Sequence, residues 1–243
     1  MSLWVAVGFL TRISVGDPSA GGSREVNVAG AVPWFPVVGA LIGAIQAAIW
    51  WGLAQSTTPL VAAAVSTTVA ALITGAFHHD GLADMADAFG GGWTAEQRME
   101  ILKDSRLGTY GTSALVLAFG LEIAALSSFE PVDGALALIA MHMFGRALAV
   151  LTMLRSSVAG DGLGAAYTRD IPRIPAMASV IGAGIVTAAC LGTSAFAIFP
   201  AMAAATAVVI LSHRKIGGIT GDVLGAITVV SGVTLLVAAT IQV

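Results

Sequence analysis

Residues 78–111 read HHDGLADMADAFGGGWTAEQRMEILKDSRLGTYG, the one long polar interruption in a 243-residue chain that is 57% hydrophobic. Six of the fourteen acidic residues fall inside it. What surrounds it decides the fold class. Mean hydropathy is +0.90 and only 10% of residues are charged, far from the roughly 25% of an ordinary soluble domain. The expectation is an all-α integral membrane protein, a polytopic helical bundle, with residues 1–243 forming a single membrane-embedded catalytic domain.

Working outward from that stretch, apolar segments run over roughly 31–53, 59–79, 109–128, 131–155, 175–193, 196–212 and 222–243. Each is near the length that a tilted helix needs to cross about 30 Å of hydrocarbon, which predicts about seven transmembrane helices. The apolar run Leu3–Leu10 is too short to cross and is expected as a short N-terminal interfacial helix. It lacks a preceding basic region and an A-x-A site, so it does not read as a cleaved signal. Gly and Ala abound within the spans, as expected where helices pack closely in lipid.

Charge gives the orientation. Arg12 and Arg24 precede the first span, and Arg98, Lys103 and Arg106 lie in the loop 80–108. Arg155, Arg169 and Arg173 flank the loop 156–174, and Arg214 and Lys215 precede the last span. The alternate connections near 54–58, 127–133 and 194–195 hold no Lys or Arg. The positive-inside rule then puts the polar segments, and any catalytic loop, on the cytoplasmic side of the cell inner (plasma) membrane, with membrane lipid around the bundle. A net charge of −3 with no basic stripe argues against a nucleic-acid partner. The single cysteine, Cys190, excludes a disulfide framework and a CxxC metal site.

Asp80, Asp84 and Asp87 are spaced i, i+4 and i+7, so a helix running through them puts three carboxylates on one stripe. Carboxylates this close repel one another, and a hard divalent cation is the general remedy, Mg2+ where phosphates are also bound. Further along, Asp104-Ser105-Arg106 leads through Gly108 and Gly111 into the next span, placing a bidentate donor beside a helix N-terminus, a suitable phosphate site. A second such place is Arg214-Lys215-Ile-Gly-Gly218-Ile-Thr220-Gly-Asp222, where Asp222 either caps the last helix or completes a metal site. Plainer readings stand beside these. The aspartates could be solvated loop residues, and Arg214 and Lys215 topology anchors. His78 and His79 could sit at the end of a span, where a helix C-terminus suits an imidazole. Three polar residues fall inside spans, Glu122, His142 and Arg146. Burial of such groups is costly, so partners are expected, with Glu122 pairing to Arg146 or Arg146 facing substrate.

FLTRI near the N-terminus, WFPVVGALIGA, the HxDGLADMADAFGG block, DSRLGTYG and the closing GGITGDVLGA together resemble the cobalamin synthase family, adenosylcobinamide-GDP ribazoletransferase. The resemblance implies a Mg2+-dependent membrane enzyme that joins adenosylcobinamide-GDP to α-ribazole, or to its 5′-phosphate, and releases GMP. It departs after TGDxLGA, where Ile-Thr-Val-Val-Ser-Gly replaces the acidic residues often found there. On this reading Asp80, Asp84 and Asp87 hold the metal and one of them accepts the proton of the attacking hydroxyl. His78 assists as an acid or from behind. Substrate phosphates fall to Arg106, positioned by Asp104, together with Gly108, Arg214, Gly218, Thr220 and Asp222. A homo-oligomer or contacts with neighbouring pathway enzymes are left open by the sequence. Two other readings are a CDP-alcohol phosphotransferase, whose Ala-Arg after Asp-Gly is Ala83-Asp84 here, and a membrane transporter using Glu122, His142 and Arg146. Polar residues gathered at one end, and no visible inverted repeat, speak against the transporter.

Overall fold

The computed structural model describes residues 2–15, 29–159 and 170–241. Arg24 and Arg169, used above for orientation, and most of the loop 156–174 lie outside the described residues. The described residues are helical, joined by short turns, with one isolated parallel bridge between Val158 and Ile219.

The helices in chain order are α1 (Ser2–Leu10), α2 (Phe35–Ala54, entered through a 3-10 turn at Ala29–Trp34), α3 (Pro59–Thr74) and α4 (Phe77–Gly91). Then follow α5 (Ala95–Ile101), α6 (Thr109–Leu126) and α7 (Pro131–Arg155). The last three are α8 (Arg173–Leu191), α9 (Ile198–Ile216, reached through a 3-10 turn at Gly192–Ala197) and α10 (Gly221–Ala239).

Five helical segments are long and apolar enough to cross a membrane, six if the bent pair α3 and α4 makes one crossing. The expected seven is therefore not reached on that criterion, because Arg173–Ile216 counts as one 44-residue segment although Gly192, at φ 55°, breaks it.

The expected span 59–79 is corrected. Thr58 caps α3, accepting from the Val61 N–H, and Pro59 opens it, but the helix ends at Thr74. Gly75 and Ala76 both take left-handed backbone (φ 61° and 55°), and α4 leaves at 89° to α3. Two consecutive residues of that hand cannot continue a right-handed helix. The apolar run hides the break because hydropathy is blind to backbone direction. His78 and His79 consequently lie in the first turn of α4, not at the end of a span.

Packing is close and mostly between backbones. At Gly39 a Cβ would collide with the His142 carbonyl and Arg146 Cδ, and at Gly43 it would come within 2.7 Å of the Leu138 carbonyl oxygen. Only glycine lets α2 lie this near α7, the small-residue contact that membrane helices use in place of a hydrophobic drive. α10 is the central element, buried along most of its length, with α4, α7 and α9 packed on it. Outward-facing side chains such as Leu72, Leu117 and Phe199 are largely exposed and apolar, as a lipid-facing surface requires.

Two distinct ends result. At one, the Arg12 N–H donates to the Ile73 carbonyl (2.7 Å), Arg98 reaches the Lys215 carbonyl (3.1 Å), and residues 157–159 pair with Ile219. That end gathers the described basic termini. At the other, the Trp50 indole donates to the Pro131 carbonyl (3.0 Å), tying together the ends of α2 and α7.

Candidate active site

The site forms where α4 crosses the start of α10. At Gly81 a Cβ would sit 2.8 Å from the Asp222 carbonyl oxygen, and at Gly225 one would sit 3.0 Å from the His78 carbonyl oxygen. The two backbones therefore touch, and α4 carries its acidic stripe past the first turn of α10. The helix expected through Asp80, Asp84 and Asp87 is present. Asp80 is exposed, while Asp84 and Asp87 are half-buried. The backbone contact between Gly81 and Asp222 brings a fourth carboxylate, that of Asp222, beside this group. Asp222 does not cap α10. Thr220 does, accepting from the Val223 N–H (3.4 Å), and its hydroxyl donates to Asp222 Oδ2 (3.3 Å).

Asp87 has a second task. Its two oxygens accept the Gly108 N–H (2.7 Å) and the Gly111 N–H (2.9 Å), the free donors at the start of α6. The helix N-terminus that the sequence offered to a substrate phosphate thus already binds a carboxylate of its own chain. Each oxygen keeps a further lone pair toward solvent or a cation. Beside it, Arg106 is bound to Asp104 through its backbone N–H and its guanidinium, Nη2 to Oδ2 at 2.6 Å. This exposed pair holds the Asp104 carboxyl below the usual carboxylate range, chiefly through the guanidinium hydrogen bond. Asp104 thereby fixes where Arg106 points.

The second basic loop divides differently. Arg214 is exposed at the end of α9. Gly218 is buried against Ser157 and Ala159, with no room for a Cβ, so its place is in the bridge to Ile219. Lys215 donates to the Phe89 carbonyl (2.7 Å), satisfying the C-terminal end of α4. Sequence reading missed this, since a basic pair before a span looks like a topology marker.

Nor was the network inside the bundle legible in full. Glu122 does not pair with Arg146. It accepts from Gln46 Nε2 (2.9 Å) and from the Thr67 hydroxyl (2.9 Å), while Gln46 Oε1 meets His142 Nε2 (2.6 Å). The available signal was a lone glutamine within the apolar run of α2.

Whether these residues suit a divalent cation turns on the donor set. Among the described residues no three His, Cys, Asp or Glu side chains converge closely enough to hold a metal ion, and the one ion pair is Arg106–Asp104. Asp80, Asp84 and Asp222 therefore present hard oxygens with no basic partner among the described residues. Mg2+ is commonly held by one or two carboxylates together with water and substrate phosphate rather than by a complete protein cage, and the cluster fits that mode.

Comparison with known proteins gives the family. Residues 2–240 match the cobalamin-5-phosphate synthase family. The chain belongs to it. A relative named adenosylcobinamide-GDP ribazoletransferase from Ralstonia nicotianae is 37% identical over 231 residues, covering 92% of this chain and 88% of the relative. One of the same name from Bradyrhizobium diazoefficiens is 38% identical over 248 residues, covering 99% and 94%. No solved structure matches. The cobalamin-5-phosphate synthase match spans the acidic stripe, the Asp104–Arg106 loop and the TGD turn together.

Proposed function

We infer that this transferase joins adenosylcobinamide-GDP to α-ribazole, or to its 5′-phosphate, and releases GMP. The observation that carries this is the length of the family match, residues 2–240, which takes in the motifs and the helices that position them. The nucleophile is a ribose hydroxyl of the acceptor. Its oxygen forms a bond to the phosphorus attached to cobinamide, the bond from that phosphorus to the bridging oxygen breaks, and GMP leaves with the electron pair. A carboxylate of the stripe takes the hydroxyl proton.

Asp80 and Asp84, with Asp87 and Asp222 beside them, would hold Mg2+. When bound, the ion neutralises pyrophosphate oxygens and stabilises the leaving phosphate. Arg106 projects from the same end into solvent, and its fork suits phosphate oxygens. His78 backs the stripe from the first turn of α4. Thr220 and Gly218 serve by shaping the turn that delivers Asp222, and Arg214 lies free to meet the nucleotide. The polar end would face the cytoplasm across the inner membrane, and splitting Arg173–Ile216 at Gly192 while counting the bent pair α3 and α4 as one crossing would make seven.

The test is reconstitution: purified protein in lipid, adenosylcobinamide-GDP, α-ribazole and Mg2+, with GMP and the cobalamin product followed together. Equal yields of both, abolished by chelation, are expected. Folded protein that forms neither sinks the reading, and substrate-independent ion flux in liposomes would replace it with a transporter.

A further inference from the structure

Inside the bundle lies a buried cation that no carboxylate of the described residues pairs with. Arg146 is 2% exposed, lines a cavity of about 40 Å³, and has no hydrogen-bond partner at Nε. Its Nη1 donates within its own helix, to the His142 carbonyl (3.0 Å) and to His142 Nδ1 (3.2 Å). Among the described residues no carboxylate comes within 4.0 Å of it, since the one ion pair there is Arg106–Asp104. A guanidinium cannot shed its proton, and a charge inside a bundle is normally paired.

The neighbours deepen the deficit. His78, His79 and His142 line the same cavity, and His79 Nε2 is a second buried atom without a partner. The acidic side chain there, Glu122, is held by Gln46 and Thr67. Hydrogen-bond direction fixes this arrangement. Donation from Arg146 makes His142 Nδ1 an acceptor, so Nε2 carries the hydrogen and gives it to Gln46 Oε1, which turns the Gln46 amide nitrogen toward Glu122. Arg146 is thus secured from one side and unsatisfied on the other. A volume of 40 Å³ has room for about three waters, the scale of a phosphate group.

We propose that this cavity is a phosphate-binding subsite anchored by Arg146, with His79 as a second donor, seating a substrate phosphate beneath the acidic stripe. The proposal rests on the phosphoryl-transfer reading and deepens it. His78 and Asp84 are six residues apart on α4, about 9 Å of helix, so the rest of the substrate would extend from the cavity toward the carboxylates. Either the 5′-phosphate of the acceptor or the pyrophosphate of the donor supplies the group.

Binding is measured without turnover, by the rise in unfolding temperature of protein in maltoside detergent, which carries no phosphate. Inorganic phosphate and pyrophosphate stabilise the wild type. Arg146→Gln weakens their binding roughly tenfold or more, as loss of a charge-assisted hydrogen bond implies. Glu122→Gln removes negative charge from the cavity wall and binds at least as tightly as wild type. Should Arg146→Gln not fold, Arg146→Lys keeps the charge without the fork and binds several-fold more weakly. If the acceptor supplies the phosphate, Arg146→Gln abolishes a preference for α-ribazole 5′-phosphate over α-ribazole. If the donor does, that ratio is unchanged and affinity for adenosylcobinamide-GDP falls instead. Wild-type phosphate affinity in Arg146→Gln and Arg146→Lys, or weaker binding in Glu122→Gln, overturns the proposal. Phosphate binding through Arg146 in a protein with no transferase activity would keep the subsite and discard the function.

Discussion

Asp87 and Asp80 sit on one stripe of one helix and yet hold different positions in the structure, so single substitutions separate their roles. Asp87 satisfies the Gly108 and Gly111 N–H groups. Replacing it by Ala orphans two donors at the start of α6, a loss of about 1–3 kcal/mol, visible as a lower unfolding midpoint without any ligand present. Asp80 is exposed, and exposed substitutions usually change stability by less than about 0.5 kcal/mol. Asp80→Asn is therefore expected to unfold like wild type while its Mg2+ requirement rises and its turnover collapses. Equal destabilisation by both variants would mean that the stripe is structural throughout. Asp104 offers a pH test. Arg106 depresses its folded pKa, so the contact is complete above the unfolded value near 4 and is lost only as pH falls through the lower folded value. Between pH 5 and 9 the pH–rate profile of Asp104→Asn should keep the wild-type shape, whatever its height. A limb of the profile that moves in this window would give Asp104 a proton-transfer role that its geometry does not supply.

At the scale of elements, the contact of α4 with α10 decides whether Asp222 joins the cluster. A Cβ at position 81 would lie 2.8 Å from the Asp222 carbonyl oxygen and 2.9 Å from its Cα, backbone atoms that cannot rotate away. Gly81→Ala should force the helices apart, at a cost of about 1–3 kcal/mol, and lower Mg2+ affinity by separating Asp84 from Asp222. Gly184 in α8 has nothing within 4 Å of its would-be Cβ, so Gly184→Ala is the control and should leave unfolding and turnover unchanged. A neutral Gly81→Ala would show that the contact tolerates slack and that the carboxylates need not be so close. The sequence announced this region only in part. The i, i+4, i+7 spacing is a one-dimensional signal, and it gave the helix and the stripe. The 89° bend came from two left-handed residues, of which Ala76 carries no signature at all. The Lys215 bond to the Phe89 carbonyl joins residues 126 apart, beyond any pattern in a local window. Charge alone offers Glu122 as one possible partner for Arg146, whereas the uncharged Gln46 and Thr67 are the groups that hold it.

For the whole molecule, the question is which end faces the cytoplasm. The basic residues Arg12, Arg98, Lys103, Arg106, Arg155, Arg173, Arg214 and Lys215 occupy the connections at one end, and bonds from Arg12 to Ile73 and from Arg98 to Lys215 hold several of those connections together. The opposite end, at Gln55–Thr58, Ser127–Glu130 and Gly192–Ala197, carries no Lys or Arg. Topology follows such asymmetry because basic loops are retained on the cytoplasmic side during insertion, and here the fold carries the asymmetry from the sequence into space. Cys190, the one native thiol, is replaced by Ser first. Single cysteines are then placed at Ser56, in the turn after α2, and at Glu96, in the short helix α5 at the opposite end, both exposed. In intact cells a membrane-impermeant thiol reagent should label the Ser56→Cys variant, and should label Glu96→Cys only after the membrane is permeabilised. The carboxylate stripe and Arg106 would then both face the compartment that holds nucleotides. Labelling of Glu96→Cys in intact cells, with Ser56→Cys protected, would turn the bundle over and leave the acidic site facing away from any cytoplasmic supply of a GDP-linked donor.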